Sequence, residues 1–306
     1  MVEEAPDRTD ALSEVIAVLR PQTVLARCLS GFGRWGVRYT DISKPTFCAV
    51  LDGACRLAVD GQRPFTLRAG DFGLLPAGPS FTISGFEPVT PVHYDRKTRP
   101  APNGELIYGP LEGDPSVRLL AGSYAYDSTD ASFFASLLPT IVHIRGVPRL
   151  TTLVGLVREE AVERRPGRDL VLKRLVEVLL IEALRTPQPA KLQPGLLRGL
   201  ADPQLARAIR AMHAEVGRAW TVAELAKTAG LSRSAFFDRF HRVVGVAPME
   251  YLLAWRMAVA KELLRGDSAS SLDQIAERVG YGSASTFSTA FSRHVGQPPS
   301  RYARGI

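Results

Sequence analysis

Cysteine is scarce in this chain: Cys28, Cys48 and Cys55 are the only three in 306 residues. None stands in a CxxC spacing, so they supply neither a zinc ligand set nor the framework of a secreted, disulfide-stapled fold. Histidine is thin as well. His93, His143, His213, His241 and His294 are scattered, and each reads as a surface or satisfied core residue rather than a metal ligand. No apolar run approaches a membrane span, and the opening MVEEAPDRTD is acidic and polar where a signal peptide is basic and then apolar. A cytoplasmic protein without a membrane partner is expected. There is no Ser/His/Asp grouping, no phosphate loop and no carboxylate pair placed for acid–base work, which predicts a non-enzyme without a cofactor.

What is present is a repeat. TVAELAKTAGLSRSAFFDRFHRVVGVAPMEYL begins at Thr221, and SLDQIAERVGYGSASTFSTAFSRHVGQPPSRYA begins at Ser271. They match at Leu225/Ile275, Ala226/Ala276 and Gly230/Gly280, then, after the inserted turn residue Gly282, at Ser232/Ser283, Phe236/Phe287, Phe240/Phe291, Gly245/Gly296, Pro248/Pro299 and Tyr251/Tyr302. Each copy has a short helix, a Gly able to take positive φ, a Ser N-cap and a second helix. The paired phenylalanines, four apart, define a buried stripe and leave the opposite face free. Charge points the same way: residues 190–306 hold 16 Lys and Arg against 9 Asp and Glu, whereas residues 1–189 hold 22 of each. The whole excess lies where phosphate contacts would need it.

The repeat, the connecting stretch YLLAWRMAVAKELL and the ending GQPPSRYAR resemble the double helix-turn-helix DNA-binding domain of the AraC/XylS family of bacterial transcription regulators. The resemblance implies that the second helix of each motif enters the major groove, with the two groove segments about 34 Å apart. Carried over residue by residue, it assigns Ser234, Phe237, Asp238 and His241 in the first motif, and Ala284, Ser285, Ser288 and Thr289 in the second, to the groove. Arg233, Arg239, Arg242 and Arg293 become phosphate or inter-helix contacts. Relatives commonly carry Arg where Asp238 and Thr289 stand here, so bidentate guanine reading is absent at those points. Asp238 can instead accept from cytosine N4, and Phe237 can touch a thymine methyl.

The chain is long enough for two domains. Residues 10–20 read as a short amphipathic helix stopped by Pro21. From about Val24 to His93, β-branched and aromatic residues with turn signals at Asp52-Gly53 and Asp60-Gly61 predict an antiparallel sandwich or barrel. Two antiparallel helices follow, split by Pro166-Gly167, and the second is apolar enough for either a core or a subunit interface. TPQPAKLQPG then reads as a linker, and Asp202-Pro203 as a helix start. The expected class is α+β: a sensing and dimerisation domain over 1–190, and an all-α DNA-binding domain over 191–306 with two helix-turn-helix motifs joined by a long helix.

The segment GDFGLLPAGPSF, Gly70 to Phe81, resembles the second conserved motif of cupin barrels, with Phe81 where a metal-binding histidine normally stands. The place of the first motif reads Phe47-Cys48, so no three-ligand metal site can be assembled from these motifs. GRWGVRY and the LLAGSY stretch also fit the AraC-family subgroup with a cupin-like ligand-sensing half. That subgroup implies a small-molecule effector, a homodimer, duplex DNA and RNA polymerase as partners. If Asp52-Gly53 is a hairpin turn, Cys48, Val50, Cys55, Leu57 and Val59 share one face, opposite Phe47, Ala49, Ala54, Arg56 and Ala58. Arg56 marks the outward face. The expected effector pocket is then Trp35, Tyr39, Cys48, Val50, Cys55, Leu57 and Phe81, dry, apolar and metal-free, suited to a small hydrophobic or aromatic molecule. Two alternatives stay open on the residues: a metal-independent redox sensor using the thiols of Cys48 and Cys55, and a cupin enzyme.

Overall fold

The computed structural model describes residues 10–19, 22–40, 44–76, 78–95, 101, 104–125, 129–163, 165–186, 194–266 and 271–304. Pro21, residues 187–193 of the expected linker and the acidic opening before Asp10 lie outside the described residues. Those of Pro21–Ala125 and Pro139–Pro187 form one compact unit, and those of Met1–Arg20, Tyr126–Leu138 and Gln188–Ile306 form the other. Two helices from the first half of the sequence, α1 (Ala11–Leu19) and α2 (Thr129–Ser136), therefore pack with the C-terminal helices.

Ten strands among the described residues make one curled sheet. They are β1 (Gln22–Gly31), β2 (Gly36–Tyr39), β3 (Thr46–Val59), β4 (Phe65–Arg68), β5 (Phe72–Leu75), β6 (Phe81–Ser84), β7 (Val92–His93), β8 (Leu106–Tyr108), β9 (Val117–Ala125) and β10 (Val142–Ile144). Pairing is antiparallel except for β1 with β8 and β2 with β7. β3 is the spine: its first half runs between β5 and β9, its second between β4 and β6.

Asp52-Gly53 is not a hairpin turn. β3 passes straight through it as one strand of 14 residues, and a β-bulge against β9 falls just before it, at Leu51, where Val50 pairs with Leu119 and Asp52 with Arg118. Gly53 takes φ +73°, and a Cβ there would lie 2.1 Å from the Ser116 carbonyl oxygen. The extra residue shifts parity by one, as a two-residue turn also would. Cys48, Val50, Cys55, Leu57 and Val59 consequently share one core with Leu29, Val117 and Leu119, while Arg56 is exposed. The face assignment stands although its reason was wrong. Asp60-Gly61 is the turn between β3 and β4.

The helical hairpin forms as its turn predicts, with α3 (Pro148–Val162) and α4 (Arg168–Arg185) on either side of Pro166-Gly167. One stripe of α4 (Leu172, Val176, Leu179, Leu180, Ala183, Leu184) is buried, and the Tyr124 hydroxyl of β9 donates to the Val176 carbonyl at 2.8 Å. The remaining apolar surface, Leu170, Val171 and Val178, is exposed, as is Leu156 of α3.

In the other unit the C-terminal helices are α5 (Leu196–Ala201), α6 (Pro203–Ala214), α7 (Val222–Ala229), α8 (Arg233–Val244), α9 (Pro248–Gly266), α10 (Leu272–Arg278), α11 (Ala284–Val295) and α12 (Pro299–Ala303). Asp202 caps α6, accepting from the Gln204 and Leu205 amides. Among the described residues, no single helix is long and apolar enough to cross a membrane. α1 docks here through a buried polar chain. The Glu14 carboxylate accepts from His213 Nδ1 at 2.6 Å, and His213 Nε2 accepts from the Tyr251 hydroxyl at 2.9 Å. The imidazole stacks on Trp255 with centroids 3.7 Å apart. Phe134 of α2 meets Tyr251 and Trp255 edge-on.

Candidate DNA interface and ligand cavity

The repeat in sequence is a repeat in geometry. Thr221 and Glu224 exchange bonds as a capping box at the start of α7, and Ser271 and Gln274 do the same for α10. The helices end alike, with the Leu231 amide returning to the Ala226 carbonyl and the Tyr281 amide to that of Ala276. Gly230 and Gly280 supply the positive φ this closure needs, +70° and +82°. Ser232 and Ser283 then cap α8 and α11. Phe236 and Phe240 lie 5.6 Å apart, Phe287 and Phe291 5.5 Å apart, all fully buried. Phe240 meets Tyr251 at 5.9 Å, and Phe291 meets Tyr302 at 5.6 Å.

With those faces buried, α8 turns Arg233, Ser234, Phe237, Asp238, His241 and Arg242 to solvent. Phe237 is 42% exposed and stacks on His241. On α11, Ser285, Thr289 and Arg293 are exposed, with Ala284 and Ser288 half-buried. Arg239 is placed differently. It turns inward, its Nε and Nη2 donating to Asp202 at 2.9 and 2.7 Å and its Nη1 to Gln204 at 2.7 Å. It ties α8 to α6, so of the two roles open to it the structure selects the inter-helix one.

The sheet curls around a half-open cavity of about 420 Å³. Of the residues expected there, Tyr39, Cys48, Leu57 and Phe81 line it; Trp35, Val50 and Cys55 are packed in the core beside it. Trp35 is held by a bond from its indole N–H to the Ser116 hydroxyl at 3.3 Å. An aromatic wall of Phe81, Tyr39 and Tyr94 stacks at 4.7 and 4.8 Å, and Leu29, Leu75, Ile83, Leu106 and Leu119 complete the apolar end. The cavity is not apolar throughout. Arg27, Thr40, Lys44, Thr46 and Ser123 also border it. Sequence reasoning missed these residues, although Arg27 alternates with Leu29 in β1 and so shares its face.

Burial pushes the Cys48 thiol up to about 12 and raises that of Cys55 as well, so both stay in the unreactive protonated form. Among the described residues no three of His, Cys, Asp or Glu are grouped so as to hold a metal ion. Asp71, of the cupin-like motif, works as a structural anchor. It accepts from Arg145, His143 and the Arg68 amide; burial acts to raise its carboxyl, and these bonds together outweigh burial and hold it below the usual range.

Two capped helix-turn-helix motifs on one connecting helix, with a cupin-like unit in the same chain, define a DNA-binding transcription regulator. A family model described as cupin matches residues 10–187, and one described as a helix-turn-helix domain matches residues 225–305. The chain is 35% identical to a protein of Streptomyces lividans, over 96% of this chain and 98% of that one. It is 34% identical, over the same shares, to one of Streptomyces antibioticus. Both carry the name of AraC-like transcription regulators. The solved DNA-binding domain of AdpA, in complex with a target DNA, is 31% identical over 34% of this chain and 92% of that one, with a TM-score of 0.32. The chain belongs to the AraC family of transcription regulators.

Proposed function

We propose that this regulator reads its operator with the exposed faces of α8 and α11, and that a small molecule in the sheet cavity sets how strongly it does so. The cavity carries this reading: its volume of about 420 Å³ falls in the range of small-molecule sites, and aromatic and aliphatic side chains wall most of it. The chain acts in the cytoplasm by binding rather than catalysis, as its regulator relatives support. A homodimer is supported by the exposed Leu156, Leu170, Val171 and Val178 on α3 and α4, apolar surface that a second copy would cover. Protonated, buried Cys48 and Cys55 give thiol redox sensing no support.

The test is a cavity-filling variant, Ala121→Phe, compared with the wild-type chain on a reporter promoter chosen by genome-wide mapping of bound sites. Conditions that switch the wild type should leave the variant fixed in one state, with its affinity for operator DNA intact. A variant that switches as the wild type does would remove the cavity from the control mechanism.

A further inference from the structure

The two motifs share a frame but not a reading face. Laying α11 on α8 by the repeat pairs Phe236 with Phe287 and Phe240 with Phe291, all fully buried. On the opposite side the same overlay pairs Arg233 with Ala284, Phe237 with Ser288, Asp238 with Thr289 and His241 with Ser292. Every ring or charge at these four positions of α8 faces a small neutral counterpart in α11. Ser234 with Ser285 and Arg242 with Arg293 keep their kind.

Hydrogen bonds inside the second motif reduce its reading capacity further. The Thr289 hydroxyl donates to the Ser285 carbonyl at 3.1 Å, which leaves its methyl as the outward group, and the Ser283 and Thr286 hydroxyls bond each other at 2.8 Å. A free serine hydroxyl both donates and accepts, so it fits either kind of base-edge group. Asp273 of α10 accepts from the Ala284 amide at 3.2 Å, so a carboxylate stands at the start of α11. The matching residue of α7 is Ala223, and the start of α8 carries the exposed Arg233 instead. Helix stability does not call for the small face of α11, since Ser and Thr are weaker helix formers than Lys, Glu or Arg.

Asp238 is the opposite case. It is exposed, and among the described residues no ion pair or hydrogen bond holds its carboxylate. On a face that meets phosphates a carboxylate is repelled, and a base-edge donor offsets this. As an acceptor only, it fits the amino group of cytosine. Guanine O6 and N7 and thymine O4 oppose it with acceptors, and the adenine amino group is flanked by the acceptor N7.

Resting on the reading that α8 and α11 both face the operator, we propose that the two motifs divide the work. α8 specifies sequence, with Asp238 selecting a C·G pair, and α11 seats on the neighbouring groove segment and tolerates any sequence there. The operator is accordingly one specified segment beside an unspecified one for each bound copy of the chain.

Binding-site selection by the full-length protein from a random duplex library, followed by titration of the selected duplex, tests this. Scrambling the specified segment should weaken binding at least about hundredfold, the scale of several mismatched base pairs, and scrambling its neighbour by less than about threefold. Asp238→Asn should move the preferred base at one pair from cytosine to adenine, which the loss of a merely structural carboxylate would not do, and Thr289→Val should select the same site as the wild type. Ser288→Phe/Thr289→Asp, which gives α11 the reading pair of α8, should impose a new C·G requirement about one helical turn from the first. If that variant fails to fold, Thr289→Asp alone carries this arm, and no new requirement in the folded variant overturns the seating of α11. Two segments specified to similar depth overturn the division, as does an altered site in Thr289→Val or an unmoved cytosine preference in Asp238→Asn. Selection of no sequence at all by the wild type overturns the underlying reading that these helices face an operator, and the proposal falls with it.

Discussion

Two arginines on one recognition helix should fail in opposite ways. Arg239 and Arg242 are three residues apart, and only the structure separates them. Arg239 makes three close bonds to Asp202 and Gln204, with the Asp202 side chain only 13% exposed. Asp202 also caps α6, and its carboxyl sits below the usual range: burial acts to raise it, but the bonds from Arg239 and the two capping amides together outweigh burial. Arg239→Met keeps the aliphatic stem and removes the fork, leaving a charged, largely enclosed carboxylate with only its cap bonds. Bonds to charged groups of this kind are worth about 1–3 kcal/mol, and partial exposure of the guanidinium places the loss at about 1–2 kcal/mol. Arg242 is exposed, and Arg242→Met should change stability by less than about 0.5 kcal/mol. If Arg242 neutralises a phosphate, its loss should instead reduce the slope of log K against log salt by roughly 0.9. The assays are urea unfolding of the full chain, followed by circular dichroism, and operator titration between about 50 and 200 mM salt. A flattened salt slope with unchanged stability in Arg239→Met would refute the assignment, as would destabilisation by Arg242→Met.

Phe240→Ala empties a fully buried site against Phe236 and Tyr251 and should cost roughly 3–5 kcal/mol, whereas Phe237→Ala should leave unfolding unchanged and shift preference at one or two base pairs by about 1–3 kcal/mol in a binding-site selection. Gly53→Ala should destabilise the sheet unit by more than about 2 kcal/mol in urea unfolding, since left-handed strain adds to a collision with the Ser116 carbonyl. The His213 imidazole is held below its ordinary 6.5 by burial, which outweighs the Glu14 carboxylate. A depressed folded value means that the unfolded chain takes up the proton first as pH falls. The contribution is therefore complete above 6.5 and lost as pH drops toward the folded value, so acidification through 6.5 should lower the unfolding midpoint of the helical unit, and His213→Gln should flatten that dependence.

The double helix-turn-helix was legible in the sequence because its determinants are local. A capping box spans three residues, a Gly closure five, and a phenylalanine stripe four, so Thr221 with Glu224, Gly230, and Phe236 with Phe240 announce the same geometry in any surroundings. Duplication made that signal specific, and the charge, confined to the same segment, added the partner. The sheet was legible only in kind. Asp52-Gly53 suits a hairpin turn and a continuous strand with its bulge at Leu51 equally, and the choice fell to β9, more than sixty residues away, whose Val117 and Arg118 pair with both residues and draw β3 through. Arg239 and Arg242 are alike as letters; Asp202, thirty-seven positions before Arg239, gives one of them an internal partner. Arg27 reads as an ordinary surface arginine until the register with β9 sets it beside Ala121 on the concave face. Contacts within one helical turn are fixed by the backbone's own geometry, whereas the inward or outward sense of a strand residue exists only once its neighbours are chosen, and distant parts of the chain make that choice.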